Sequence, residues 1–541
     1  MTFDLTRRGL LGAAAAGAAF GLPATMARAE TPADQLVIGF SMNNLLSLDP
    51  ANATGLDVAE IIANLYDPLV VLDATDPHKV LPGLAERWAL TPDGKAWRFT
   101  LRKGAKFQSG QPVTAEDIAW SLHRVLKLNL ALATVWKSYG YTKDNVEQLI
   151  RADDAQTLTL TFAEPGDPQL ILYTLATSVS AVALDRKAVL AREKDGDLGA
   201  GWLVNNAAGS GAFKLDAWRA KEVLMASRFD DHWRGPAKLR RVIWRHLAES
   251  QSLRLMLERG DLDVATGMAP PDIEALKARP GIALQAVQRG TIYYVAANAK
   301  EGPFADKRVR LALRQLIDHE GINKTVMPHY GVLHQRPVQR GLPAVLPNPG
   351  YRLDVAAAKK LLAEAGLASG FKTTIRAVAE PPFTHIATAL QATLAQAGIE
   401  AQIITGTGNL IYGAMRERKF DLVVGRGGGG AEPHPYSSLR SLAYNPDNSD
   451  AARLTNFQGW RTGFQSKPLN ELIDAALIER NEGKQLKMYQ DAQRLYEQEA
   501  GAIVPISQMV ETVLLRADVK GYQSHPSATT RLHGVSKQRA A

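Results

Sequence analysis

From about Glu249 onward, helix-type and strand-type segments alternate along the chain, and this alternation limits the fold more than any other feature. Amphipathic segments such as Leu353–Gly366 are separated by short apolar runs such as Phe420–Gly425. Parallel strands are joined by crossover helices, so the pattern predicts an α/β lobe with a largely parallel sheet. Asp354 is the predicted N-cap of its helix. We also predict one continuous helix over Asp306–Ile322.

The first half of the chain is richer in strand signals. A length of 541 residues exceeds what one hydrophobic core usually supports, so two or three lobes are expected. Thr91–Gly94 predicts a turn between two strands, and Thr114 with Asp117 predicts a helix capping box. The apolar segment Ala502–Arg516 predicts a strand that returns to the first lobe.

The N-terminus has the form of an export signal. Arg7 and Arg8 precede an apolar run, Gly9–Leu22, and the segment ends in the small-x-small site Ala27–Ala29. A twin arginine before a short apolar run indicates a twin-arginine signal peptide. The run is too short and too rich in Ala and Gly for a stable membrane span. We therefore expect a periplasmic protein without a membrane anchor.

Charge and cysteine content exclude several classes of protein. The formal net charge is +8, and no Lys/Arg block is interleaved with aromatic residues, so nucleic-acid binding is not expected. The chain has no cysteine, which excludes disulfides, thiol nucleophiles and thiolate metal sites.

A glycine-rich stretch, GRGGGG, follows an apolar strand signal and raises the question of nucleotide binding. Gly425, Gly427 and Gly430 match G-x-G-x-x-G by spacing. A dinucleotide site also needs a helix that begins at the third glycine. Here Pro433 and Pro435 follow, and proline disfavours helical backbone in the residue before it. The context therefore argues against a nucleotide.

Five segments in order resemble the family 5 extracellular solute-binding proteins, the peptide- and nickel-binding proteins of ABC importers. Leu81–Leu126 is similar to the family signature, Gly209–Leu215 to its glycine turn, and Gly302–Asp318 to its F-x-D-x-R-V-R helix. The segments AAKKLLAEAG and KFDLVVG also fall in the expected order.

The resemblance implies an α/β, two-lobed periplasmic binding protein fold of the class II or cluster C type, with an extra β-rich subdomain on lobe I. After the signal peptide at 1–29, we expect lobe I over 30–62, 209–293 and 503–541. The extra subdomain is expected over 63–208 and lobe II over 294–502. The ligand would be enclosed between the lobes.

The glycine stretch departs from the family pattern where the ligand is expected. Many peptide-binding members have G-W-x-x-D-x-x-[DE]-P, in which the aspartate holds a peptide α-ammonium and the Trp forms a pocket wall. With Pro433 as anchor, Glu432 matches the last acid, Arg426 replaces the Trp and Gly429 replaces the aspartate. Arg426 either binds a carboxylate or phosphate, or it points to solvent or pairs with Glu432. We expect a more anionic or modified solute than an ordinary peptide.

Further candidate ligand residues come from positions that match the family and from the glycine stretch itself. They are Asn43, Asn44, Ser210, Tyr294, Asn298, Gly427, Gly428 and Tyr436, beside Arg426, Gly429 and Glu432. The four glycines would let the backbone approach the ligand and donate N–H groups.

Catalysis, cofactors and metals are not expected. The chain has no G-x-S-x-G and no H-E-x-x-H. His329 and His334 are either a metal contact or, as is more common, polar groups of a loop. The predicted protein is a monomeric, non-catalytic receptor with a small-molecule or short-peptide ligand and ABC permease subunits as partners. The alternatives are a chemoreceptor-associated protein, a periplasmic chaperone of the same fold or, less favoured, an extracytoplasmic enzyme.

Overall fold

A computed structural model describes residues 30–53, 55–429 and 432–538. The predicted signal peptide at 1–29 lies outside these residues. Within them, eleven strands form one mixed sheet. In spatial order ten of its strands are Glu400–Gly406, Lys372–Val378, Leu422–Gly427, Ile282–Ala297, Ile503–Arg516, Val264–Thr266, Gln35–Phe40, Arg241–His246, Val223–Arg228 and Phe213–Arg219, and Gly331–Leu333 pairs with Ile503–Arg516.

Two long antiparallel strands, Ile282–Ala297 and Ile503–Arg516, join the two ends of this sheet. We call them the crossing strands. Their pairing runs regularly as far as Gln288 and resumes at Ile292, and a second, smaller irregularity follows between Tyr293 and Tyr294. Residues 289–291 therefore interrupt the ladder at the middle of the molecule, where a bend is expected.

The α/β pattern predicted for the second half of the chain is confirmed at one end of the sheet. Leu422–Gly427, Lys372–Val378 and Glu400–Gly406 are mutually parallel neighbours. The next strand, Ile282–Ala297, is antiparallel to Leu422–Gly427. The predicted C-terminal strand is also confirmed, since Ile503–Arg516 is a strand, and it pairs with Val264–Thr266 at the other end of the sheet.

A separate antiparallel sheet lies in the first half of the chain. Its strands, in spatial order, are Ala85–Leu90, Ala96–Leu101, Thr157–Thr161 and Ile150–Ala152. Two strand pairs, Val70–Leu72 with Val80–Pro82 and Val519–Lys520 with Ser536–Lys537, complete the described strands. The capping box is confirmed, because Thr114 and Asp117 exchange side-chain and backbone hydrogen bonds at a helix start.

Helices cover the faces of both sheets. The α-helices are Leu56–Leu65, Ala115–Lys127, Ala133–Lys137, Val146–Leu149, Pro168–Thr177, Arg186–Leu190, Ala200–Leu203, Ser250–Arg259, Pro270–Lys277, Lys307–Leu316, His319–Thr325, Val355–Glu364, Phe383–Gln396, Gly408–Arg416, Pro435–Leu442, Gln458–Thr462, Lys467–Ile478 and Glu482–Gln498, and Pro303–Ala305 is a 3₁₀ turn. In the described ranges, none of the helices has the length and apolarity needed to cross a membrane.

The single helix predicted over Asp306–Ile322 is wrong. The structure has two helices, Lys307–Leu316 and His319–Thr325, with Ile317 in an extended conformation between them. The carboxylate of Asp318 accepts a hydrogen bond from the backbone N–H of Gly321 at 2.9 Å. An aspartate that caps a new helix in this way competes with continuation of the preceding one.

Buried apolar side chains form separate cores at the two ends of the main sheet and beneath the small sheet. The helix Pro168–Thr177 connects two of them. Its Ile171 and Leu175 pack in the core of the small sheet, whereas Leu170 packs in the core that contains Val423. This helix therefore joins the core of the small sheet to the core at the 292–506 end of the main sheet.

A fully buried ion pair fixes the helix Ala115–Lys127 to the segment that follows the first strand of the chain. The guanidinium of Arg124 donates to both carboxylate oxygens of Asp49, at 2.6 and 3.1 Å, and its Nε donates to the carbonyl oxygen of Leu198. Removing one member of such a pair leaves the other buried without a counter-charge, which is costly.

We predict that Arg124→Met lowers the free energy of unfolding by about 3–5 kcal/mol, measured by urea denaturation. Arg186→Ala is the matched control, because Arg186 pairs with Glu116 at a partly exposed position. The control is expected to cost at most about 1 kcal/mol. Equal losses in the two variants would contradict this assignment.

Candidate functional site

A cavity of about 750 Å³ lies where the crossing strands meet loops from both ends of the main sheet. We call it the main cleft. It is lined by residues 74–75, 77, 285–290, 339–342, 432–433, 508, 521–524 and 526–527. Its wall includes the interruption of the crossing strands, so a bend there would change the width of the cleft.

Buried amide side chains hold the wall of the main cleft in place. Gln508 accepts a hydrogen bond from the backbone N–H of Arg340 at 2.7 Å and donates to the carbonyl oxygen of Arg289 at 3.2 Å. Gln339 donates to the carbonyl oxygen of Gly290 at 2.8 Å. The loop 339–342 is thereby tied to the interruption in the crossing strands.

Three charged side chains line the main cleft. The surroundings neutralise their charges to different degrees. The guanidinium of Arg289 forms an ion pair with Glu511 and also donates to the backbone oxygen of His525. Burial raises the pKa of Glu432, which favours its neutral form. Arg340 has an exposed side chain.

A second cavity of about 500 Å³, the side chamber, shares Glu432 with the main cleft. It is lined by residues 134–135, 137–139, 428–429, 432, 436–437, 440–441 and 456–457. The guanidinium carbon of Arg440 lies 5.6 Å from the ring centre of Tyr436 and 5.1 Å from that of Phe457. Arg440 also donates to the carbonyl oxygen of Ser138 at 3.0 Å, so it links the two walls of the chamber.

The glycine stretch does not have the dinucleotide-binding arrangement in the described residues. The next helix is Pro435–Leu442, which starts five positions after the third glycine of the motif, Gly430. Gly430 and Ala431 themselves lie outside the described residues. His434 is extended, as expected before a proline, and its Nδ1 accepts from the backbone N–H of Tyr436 at 3.2 Å. Pro435 occupies the first helical position, where proline is well tolerated.

Gly429 packs directly against this helix. A Cβ atom at Gly429 would lie 2.4 Å from the backbone nitrogen of Ser438 and 2.6 Å from its Cα. These are backbone atoms and cannot move aside cheaply. The position predicted to replace the family's aspartate therefore has no room for a side chain.

Several predicted site residues lie at the cavities. Glu432 lines both cavities, and Gly428, Gly429 and Tyr436 line the side chamber. Gly427 lines neither cavity, and a Cβ atom at this position would lie 2.4 Å from the amide nitrogen of Gln458. The structure therefore brings together the members of the glycine stretch from Gly428 to Tyr436 that it describes.

Arg426 lies apart from both cavities. Its guanidinium carbon is 5.8 Å from the ring centre of Phe383, and its backbone N–H donates to the hydroxyl of Tyr412 at 2.9 Å. The described residues contain no ion pair between Arg426 and Glu432, which was one of the alternatives left open. Its role in ligand binding stays a prediction.

Tyr294 and Asn298, on a crossing strand and just beyond its end, are buried. The Tyr294 side chain packs in the core of the 292–506 end of the sheet. Asn298 donates to the carbonyl oxygen of Phe420 at 2.9 Å. Both side chains have packing or backbone-bracing contacts in this structure and do not line either cavity.

The remaining predicted residues also lie away from the two cavities. Ser210 is fully buried, and its hydroxyl donates to Asp67 at 3.3 Å. Asn43 and Asn44 are exposed in the loop after the first strand. Neither asparagine is among the lining residues of the main cleft or the side chamber.

Sequence reasoning missed the part of the main cleft formed by Gln339, Arg340, Gln508 and the loop 521–527. Arg340 and Gln508 are 168 positions apart along the chain. They meet because Gly331–Leu333, the strand before the loop 339–342, pairs with the crossing strand at Ser507–Met509. No motif marks them, so the sequence carried no local signal that could have found them.

The two histidines considered for metal binding have separate partners. His329 contacts a carboxylate oxygen of Glu274 at 2.6 Å through Nε2. His334 contacts the carbonyl oxygen of Val338, and burial lowers its pKa to about 4. In the part of the chain that the structure covers, no three His, Asp or Glu residues are placed to hold a metal ion.

Sequence and structure comparisons agree on the class of protein. The family described as bacterial extracellular solute-binding proteins, family 5, matches residues 79–450. The chain is 27% identical over 519 residues to the probable D,D-dipeptide-binding periplasmic protein DdpA of Escherichia coli (strain K12), with 93% of each chain covered.

Two solved structures share the fold. A dipeptide-binding protein from Pseudoalteromonas sp. SM9913, in complex with Met-Leu, aligns with a TM-score of 0.77 at 22% identity and covers 93% of this chain and 100% of its own. The binding protein MoaA from A. tumefaciens R10, in complex with mannopinic acid, aligns with a TM-score of 0.76 at 23% identity and covers 93% and 99%.

The fold and the cleft define a two-lobed periplasmic binding protein. Within this class, the chain belongs to family 5 of the bacterial extracellular solute-binding proteins, as its motifs indicated.

We predict that Gly429→Ala lowers the free energy of unfolding by about 1–3 kcal/mol, because the added methyl group overlaps the backbone at Ser438. Gly413→Ala is the control, since a Cβ there has its nearest neighbour at 4.0 Å. The control is expected to be neutral or stabilising by up to about 1 kcal/mol. Chemical denaturation measures both variants. An unchanged free energy of unfolding in Gly429→Ala would contradict the close packing of Gly429 against Ser438.

Proposed function

We propose that this protein is the exported substrate-binding component of an ABC importer. It captures a peptide-like or carboxylated small solute between two lobes and delivers it to a membrane permease. The observation that carries this proposal is the main cleft, whose walls come from both ends of the main sheet and meet at an interrupted pair of strands. Periplasmic location is supported by the name of the Escherichia coli relative. Export by the twin-arginine route and a monomeric state belong to the same proposal.

The proposed division into lobes follows the sequence boundaries. We retain lobe I at 30–62, 209–293 and 503–541, the extra subdomain at 63–208, and lobe II at 294–502. Separate cores at the two ends of the main sheet and beneath the small sheet support this division. The crossing strands are its hinge, and closure would be a rotation about their interrupted segment.

Polar contacts already join the extra subdomain to lobe II. Asp167 accepts a hydrogen bond from Gln485 at 2.9 Å and lies 3.4 Å from the Nε2 of His434. Elsewhere, His78 contacts the carbonyl oxygen of Gly341 at 2.9 Å. We infer that the structure shows the closed arrangement and that opening breaks these contacts.

The function is proposed to be binding without catalysis. Ser210, Asp67 and His232 lie together, which is superficially like a nucleophile set. However, the hydroxyl of Ser210 donates to the carboxylate, the imidazole of His232 contacts the same oxygen at 3.1 Å, and the three residues are buried. A hydrolytic serine needs an exposed hydroxyl bonded to a histidine base.

The proposed ligand is not an ordinary peptide held by its free amine. Gly429 has no carboxylate and no room for one, and burial favours the neutral form of Glu432. A site for an ammonium group needs an ionised acid. The ligands named for two relatives, a D,D-dipeptide and mannopinic acid, show that modified and carboxylated solutes occur among proteins of this fold.

Calorimetry with di- and tripeptides tests this ligand class. Each peptide is titrated with a free α-amine and again after N-acetylation. We expect no micromolar binding that depends on the free amine. Micromolar binding of ordinary peptides that is lost on acetylation would contradict the proposal.

The contacts of Asp167 predict a pH dependence of closure. Burial alone would raise the pKa of Asp167, but hydrogen bonds from His434 and Gln485 outweigh it and lower the pKa. A lowered pKa means that the carboxylate stabilises the closed form fully above its ordinary value of about 3.9, and that this contribution is lost as pH falls through the lowered value.

We therefore expect Asp167→Asn to lower the thermal midpoint near neutral pH, and we expect its difference from the wild-type protein to shrink as pH falls below the ordinary carboxylate pKa of about 3.9. The exposed Asp144→Asn is the control and should follow the wild type at every pH. A difference between Asp167→Asn and wild type that stays constant with pH would contradict a role for the ionised Asp167 carboxylate in these contacts.

A further inference from the structure

We propose that Arg340 is the anion anchor of the main cleft, and that the ligand carries a carboxylate which this guanidinium holds. This inference rests on the proposed receptor function and specifies the chemistry of its ligand. It concerns a residue that lies far in sequence from the glycine stretch.

The first argument is the balance of charge on the wall of the main cleft. Of its three charged lining residues, Arg289 is neutralised by Glu511 and is further occupied by the backbone oxygen of His525. Glu432 is shifted towards its neutral form by burial. Arg340 makes no ion pair with the described residues. It is therefore the uncompensated permanent charge of this cleft.

The second argument is the position of the Arg340 side chain. It is exposed, and its Nη1 has a carbonyl oxygen, that of Leu333, only at the hydrogen-bond limit of 3.5 Å. The planar fork of an arginine matches a carboxylate, which it can bind through two parallel hydrogen bonds. The guanidinium can therefore turn to a ligand without breaking a strong bond.

The third argument is that the backbone around Arg340 is held on both sides. Its own N–H donates to Gln508 on a crossing strand at 2.7 Å, and Gln339 donates to Gly290 at 2.8 Å. The carbonyl oxygen of Gly341 lies 2.9 Å from His78 of the extra subdomain. A fixed backbone with an exposed charged side chain is suited to binding, because ordering costs little more than the side-chain entropy. Since the same loop touches both walls, a ligand on Arg340 would also favour closure.

The experiment uses N-acylated di- and tripeptides and sugar acids, each matched with its own carboxamide. Binding to the full-length mature protein is measured by calorimetry. We expect the carboxylate members to bind and their carboxamides to bind about 10- to 100-fold more weakly, the range for a charge-assisted contact. Arg340→Ala should remove this preference, and Arg340→Lys should restore part of it because it keeps the charge without the fork.

Arg426→Ala tests the other arginine that is predicted to hold a carboxylate. Arg480→Ala is the matched control, since Arg480 is also an exposed arginine of lobe II but lines neither cavity. It should keep the carboxylate preference. Circular dichroism and the thermal midpoint check that each variant folds, and the exposure of Arg340 predicts wild-type values.

The outcomes separate the anchor from the receptor function. In one outcome, carboxamides bind as tightly as carboxylates and both affinities are unchanged in Arg340→Ala; in that case the receptor function stands and the assignment of Arg340 as anchor is wrong. If Arg426→Ala removes the preference and Arg340→Ala does not, the anchor is likewise wrong. If no member of either kind binds the wild-type protein, the anchor and the proposed function fail together.

Discussion

The pairing of the two crossing strands is the interaction on which the rest of the structure depends. Ile282–Ala297 and Ile503–Arg516 carry one sheet from the first lobe into the second, and their ladder is interrupted at 289–291. A continuous ladder would make one rigid slab, whereas two independent sheets would leave the lobes unaligned. An interrupted ladder would keep the lobes in register and let the sheet bend near the interruption, as we propose. The main cleft lies at that place.

The polar side chains in the wall of the main cleft supply hydrogen bonds that the interrupted ladder lacks. Leaving the ladder exposes backbone carbonyls, and the buried amides of Gln339 and Gln508 satisfy those of Gly290 and Arg289. The same amides fix the loop that bears Arg340. The amides that satisfy the carbonyl groups at the interruption thus also position the proposed anion anchor, Arg340. The proposed ligand site and the proposed hinge therefore share the same hydrogen bonds.

Sequence reasoning predicted the architecture better than the site. Local signals were sufficient for the Thr114 capping box, the helix capped by Asp354 and the parallel strands around Phe420–Gly425. The Asp306–Ile322 helix was wrong because a cap at Asp318 outweighed the apolar periodicity. The glycine stretch lies beside a cavity, and its role in ligand binding stays a prediction. Arg340 was missed, because Gln508, which holds its backbone N–H, and His78, which contacts the next residue, Gly341, are distant in sequence.

The measurement that tests the central claim most directly is the distance between the lobes with and without ligand. The chain has no cysteine, so two introduced cysteines at the exposed residues Lys143 and Lys484 can carry spin labels without background. Dipolar spectroscopy is then recorded before and after adding a carboxylate found to bind by calorimetry. The account predicts a longer, broader distance without ligand and a single shorter one with it. The same distance in both states would contradict capture by closure about the crossing strands.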